Sequence, residues 1–67
     1  MITQIDRLHL YQEAIGWCVE HGATVEFYSR GTYECRVEWY RKTGAQEWTY
    51  GETFVEAVEK ARQKHNA

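Results

Sequence analysis

The stretch ATVEFYSRGTYECRVEWYRKTGAQEWTYGETFVEAVEKA, residues 23–61, carries the architecture of the chain. Apolar and polar side chains alternate in it over residues 24–29 and again over 33–41, the two-residue period of a half-buried strand. Val25 and Phe27 fall on one side of the first run, and Thr24, Glu26 and Tyr28 on the other. In the second, Tyr33, Cys35, Val37 and Trp39 alternate with Glu34, Arg36, Glu38 and Tyr40. Ser29-Arg30-Gly31-Thr32 reads as the hairpin turn between them. Arg41-Lys42-Thr43-Gly44-Ala45 reads as a longer turn into a third strand at 46–51, where Trp48 and Tyr50 share one side and Glu47 and Thr49 the other. Thr53 and Glu56 then form a T-x-x-E capping box before a helical run in which Phe54, Val58 and Ala61, with Ala57 and His65, point one way.

Upstream, residues 4–21 read as a first helix, with Thr3 as its N-cap and Gly22 as its left-handed stop. Ile5, Leu8, Tyr11, Ile15, Cys18 and Val19 make a broad apolar arc, and Leu10, Ala14 and Trp17 widen it beyond what one sheet covers. The expected fold is α+β: a single αβββα domain over residues 1–67, a three-stranded antiparallel meander with two helices on one face. That face is expected to bury Val25, Phe27, Cys35, Val37, Trp39 and Trp48.

The opposite face is expected to stay open and to carry Glu26, Glu34, Glu38 and Glu47 around a central Arg36, with Tyr28, Tyr40 and Thr49 among them. Carboxylates in that density either form cross-strand pairs on a solvated surface or present a platform to a basic partner protein. Leu10 and Trp17 offer a second candidate surface, through which two copies could pair about a two-fold axis; the chain is expected to be a monomer or a weak homodimer.

Composition narrows the function classes. The formal net charge of −2 argues against sequence-independent binding of DNA or RNA, which leaves the turn residues Arg30, Arg41 and Lys42 as the basis of an alternative nucleic-acid reading. Lys60, Arg62 and Lys64 sit where cations complement the end of a helix dipole. No apolar run approaches the ~18 residues of a membrane span, and residues 1–4 do not begin a secretory signal, so a cytoplasmic location is expected. Cys18 and Cys35 are expected as small buried apolar residues. Cys18 and His21 have i, i+3 spacing and could join Cys35 and His65 around zinc, but no second close-spaced pair supports the site. Neither a nucleophile–base pair nor a phosphate loop is present, so no enzyme, metal or cofactor is expected.

The αβββα order resembles the double-stranded-RNA-binding domain over nearly the whole chain. Where that family opens its second helix with lysines, this chain has Thr53-Phe54-Val55-Glu56-Ala57-Val58-Glu59-Lys60. The βββα part also resembles the arm-binding domain of phage integrases, and Tyr50-Gly51-Glu52-Thr53-Phe54-Val55-Glu56-Ala57 is similar to the strand-to-helix segment of HicB-type antitoxins. In size, acidity and single-domain build the chain resembles the accessory proteins of phages and mobile elements, among them anti-CRISPR inhibitors. That resemblance implies a protein that occludes a basic surface on a larger nucleoprotein complex.

Overall fold

The computed structural model describes residues 4–28 and 34–66, with side chains from Leu8 onward. The order is α1 (Gln4–His21), β1 (Thr24–Phe27), β2 (Cys35–Tyr40), β3 (Gln46–Gly51) and α2 (Phe54–His65), an α+β fold with an antiparallel sheet ordered β1-β2-β3. Strand β3 has the expected bounds, whereas β1 and β2 are shorter than the alternation suggested. The first turn, with Arg30, and the inward position expected of Tyr33 lie outside the described residues, as does the Thr3 cap.

Both helix boundaries follow from local chemistry. Gly22 takes φ 62°, while Ala23 N–H donates to the Cys18 carbonyl at 2.9 Å and Gly22 N–H to that of Val19 at 3.4 Å; this pair of bonds closes α1. At the start of α2, Thr53 Oγ1 accepts from Glu56 N–H at 3.1 Å, and Glu56 reaches back to accept from Glu52 N–H at 3.3 Å. Thr53→Ala is expected to lower stability by about 1 kcal/mol in a denaturant titration; an unchanged midpoint would mean that water replaces the cap at no cost.

Residues opposite one another in an antiparallel pair share a face, so the registers assign the faces. Val25 pairs with Val37 and Phe27 with Cys35 on the expected side of β2, but Phe27, expected in the core, is exposed, because the helices pack over β2 and β3 rather than over β1. On the other side Val37 pairs with Thr49, Trp39 with Glu47 and Cys35 with Gly51. The inner face of β3 is therefore Glu47, Thr49 and Gly51, and Trp48 and Tyr50 point outward, the reverse of the expectation for Trp48, Glu47 and Thr49. Two physical causes combine. The turn closes through Arg41 N–H to Ala45 O and Gly44 N–H to Arg41 O, both 2.8 Å, with Gly44 at φ 92°; this pairs Tyr40 with Gln46 and fixes the parity of β3. The space beneath α2 also admits only small side chains. A Cβ on Gly51 would lie 2.6 Å from the backbone nitrogen of Ala57, and buried Thr49 donates its hydroxyl to the Ala57 carbonyl at 2.9 Å. An indole has no room there.

The core gathers Cys35, Val37 and Trp39 from β2, Phe54, Ala57, Val58 and Ala61 from α2, and Ala14 and Cys18 from α1. Helix α2 covers β2 and β3, and α1 lies on the same side, packed mainly against α2 through Ala14 and Cys18. Trp17 carries α1 to the sheet, edge-on to Trp39 at 6.3 Å between ring centroids and 6.0 Å from the His65 ring. Trp17 is thus half-buried rather than left free as a second surface. The arc expected to form the core side of α1 instead leaves Leu8, Tyr11, Ile15 and Val19 exposed. The reason is that α1 docks on a helix, and small residues permit that close approach. Cys18 and Cys35 are free thiols, both pushed up by burial, with Cys35 also raising Cys18.

Candidate functional site

The uncovered face of the sheet has Arg36 at its centre. Its neighbours in register are Glu26 on β1 and Tyr50 on β3. Arg36 Nη2 donates to Glu26 Oε2 at 2.8 Å and lies 3.2 Å from Glu38 Oε1, while the guanidinium stands 5.8 Å from the centroid of the Tyr28 ring. Tyr28 hydroxyl donates to the same Glu26 oxygen at 2.9 Å, and Tyr50 hydrogen-bonds to Arg36. Gln46 reaches Glu38 at 3.4 Å. The β-period places these groups together because every one sits on the outward side of its strand.

Hydrogen bonds from Tyr28 and then Arg36 hold the Glu26 carboxyl below its ordinary range, and Glu26 in turn raises the Tyr28 phenol. With its folded value depressed, Glu26 contributes stability above the ordinary carboxylate value and loses it as pH falls through the folded value. Glu26→Gln is therefore expected to flatten part of the acid limb of melting temperature against pH, below about pH 4.5. An identical acid limb in the variant would show that the contact does not persist in solution.

Of the expected site residues, the structure brings Glu26, Tyr28, Arg36, Glu38 and Tyr40 onto this face, with Glu34 at its rim, where its carbonyl accepts from Tyr28 N–H at 2.9 Å. Glu47 is on the other side. Its carboxylate accepts from Arg41 Nε at 2.7 Å, and the Arg41 guanidinium lies 5.9 Å from the Trp39 ring centroid, so the pair caps the exposed end of the core. Arg41, expected with Arg30 and Lys42 as a basic turn, is thus paired with Glu47 while its side chain stays partly exposed. Glu26 and Glu38 share Arg36, so the face is less acidic than the sequence suggested.

Trp48 and Tyr50 are the residues that the sequence reading placed wrongly, and they change the character of the surface. With Tyr28 and Tyr40 they make four exposed aromatic side chains around one buttressed arginine. The available signal was the size of Thr49 and Gly51, too small to fill a core face but suited to a close helix.

The candidate zinc ligands do not assemble. His21 and His65 meet edge-on, 4.6 Å between ring centroids, beside Trp17, and among the described residues no group of three His, Cys, Asp or Glu side chains could hold an ion. Nor, among the described residues, is any helix long and apolar enough to cross a membrane. The chain matches no protein-family model, no curated protein and no solved structure.

Proposed function

We propose that this chain is a small non-enzymatic protein-binding module whose open sheet face seats on a cationic surface of a larger partner. The observation that carries this reading is the group of Tyr28, Tyr40, Trp48 and Tyr50 around Arg36, exposed on a face that no helix covers. Tyr, Trp and Arg are the residues that dominate interface energetics, and aromatic rings lose little conformational entropy on docking. The ion pairs to Arg36 hold the centre rigid before binding. Glu34, whose carboxylate has no such pairing among the described residues, is placed to steer a basic partner at long range. A cationic partner also suits an inhibitor of the anti-CRISPR type, which blocks the nucleic-acid path of a nucleoprotein machine by occupying it.

Glu34→Lys combined with Tyr40→Ala tests the reading. Both side chains are exposed, so folding should hold within about 0.5 kcal/mol. Capture of the partner from host lysate should fall at least tenfold, with a flatter salt dependence. Full capture by the folded variant would move the binding surface elsewhere. Reversal of Glu38 is a poorer probe, because it would place a cation beside Arg36.

One observation favours a second reading, a single-stranded nucleic-acid binder. Trp48 and Tyr50 border a groove lined also by Lys60, Gln63 and Lys64 from α2, and bases stack on exposed aromatic rings flanked by cations. Glu26, Glu34 and Glu38 oppose it. Quenching of Trp48 fluorescence by oligothymidylate or oligouridylate at about 150 mM salt would establish this reading in place of the first.

A further inference from the structure

A second exposed apolar surface among the described residues centres on α1 and the inner side of β1. Val19 is 78% exposed, Phe27 68%, Leu8 60% and Ile15 49%, and Tyr11 is exposed between them. Leu8, Tyr11, Ile15 and Val19 recur at spacings of three and four and so line one flank of α1. Tyr11 and Phe27 both lean on Phe54, at 5.3 and 6.4 Å between ring centroids, which joins the helical stripe to the uncovered inner side of β1. The exposed parts of these five side chains amount to on the order of 600 Å2, the upper end of what a lone protein shows.

We propose that this flank is a homodimer interface, covered by the same flank of a second copy about a two-fold axis. Three features select this occupant. The patch supplies most of the ~800 Å2 per partner that a standard interface uses, and one isologous contact buries it on both copies. A stripe with Leu8 near one end and Val19 near the other, and Tyr11 and Ile15 between, is complementary to itself in an antiparallel pair, the arrangement that helix dipoles favour. The charges of the neighbouring α1 surface exclude the alternatives. Among the described residues the α1 stripe carries no charge, and Glu34 and Glu52 border it only at its Tyr11 and Phe27 end. Among the described residues the next face bears Glu13 and Glu20, with His9 bound to Glu13 at 3.2 Å, whereas a membrane-lying helix borders its apolar stripe with Lys and Arg.

The proposal does not rest on the function proposed above: the two surfaces meet only where Tyr28 and Glu34 lie beside Tyr11 and Phe27, and pairing through α1 leaves Tyr40, Trp48 and Tyr50 of the open face free on both copies. It also differs in place from the Leu10 and Trp17 surface expected from sequence, since Trp17 is packed against Trp39.

Sedimentation equilibrium over about 5–500 μM tests it, with melting curves at both ends of that range. The intact chain is expected to pass from one chain mass to two, with a melting temperature that rises with concentration. Val19→Glu is expected to remain at one chain mass throughout, with the helical circular dichroism of the parent and a melting temperature independent of concentration. Leu8→Gln provides a second, milder variant with the same expectation. A parent that stays at one chain mass at the top concentration overturns the proposal, as does dimerisation of folded Val19→Glu or Leu8→Gln at parental strength. Binding of the parent to neutral phosphatidylcholine vesicles as a single chain would assign the flank to lipid and overturn it equally.

Discussion

Trp39→Ala is expected to destabilise the protein by about 3–5 kcal/mol, the cost of deleting a fully buried indole from a core that cannot close over the gap. Trp39 has no exposed surface. Trp17 lies against it, the His65 ring is 5.9 Å away between centroids, and the Arg41–Glu47 pair closes the cavity from solvent. One side chain therefore joins α1, the end of α2 and the middle strand. A 67-residue domain has about 3–10 kcal/mol of total stability, so the variant should be largely unfolded at room temperature by circular dichroism. A cooperative melt within a few degrees of the parent would mean that another residue fills this role.

Gly51→Ala should be almost as damaging although it adds a single methyl group. The new Cβ would lie 2.6 Å from Ala57 N, 3.0 Å from Glu56 Cβ and 3.1 Å from Ala57 Cα. Two of these are backbone atoms of the first turn of α2, which cannot rotate away as a side-chain tip can. The helix must lift from β3, breaking the Thr49–Ala57 hydrogen bond and loosening Phe54 and Val58. Overpacking of this kind costs about 3 kcal/mol. The experiment also reports the direction of β3. If Gly51 faced solvent, replacing it with alanine within a strand would be neutral or stabilising, and the melting temperature would hold or rise.

Much of this architecture was legible because it depends on local chemistry. The alternation of Cys35, Val37 and Trp39 with Arg36, Glu38 and Tyr40 requires only the strand period. The Thr53 cap and the Gly22 stop require only the unpaired backbone groups at helix ends. What the sequence did not disclose depends on which element meets which. Trp48 and Tyr50 carry the apolar bulk of β3, so hydrophobicity alone placed them inward. Turn parity and the closeness of α2 over Thr49 and Gly51 placed them outward. On α1 the widest apolar arc suits a core, yet the helix docks through Ala14 and Cys18 on α2, and bulk gives way to close approach. Both reversals have one cause. Small residues at Ala14, Cys18, Thr49 and Gly51 mark the close helix contacts, and the bulk of Trp48, Tyr50 and the α1 arc is left on the surface beside them. The open face thus keeps three of its expected carboxylates around Arg36 and adds exposed aromatic rings, while Glu47, expected on it, caps the core instead.

Trp48→Ser, followed by thermal melting and by partner capture on the same preparation, tests the open face most directly. Trp48 is 41% exposed and projects from the uncovered side. The melting temperature should fall by only a few degrees, far less than for Trp39→Ala, because little of the indole leaves a packed environment. Partner capture should fall at least tenfold, as for an aromatic anchor at the centre of an interface. A folded Trp48→Ser protein that captures its partner at full strength would contradict the assignment of function to this face.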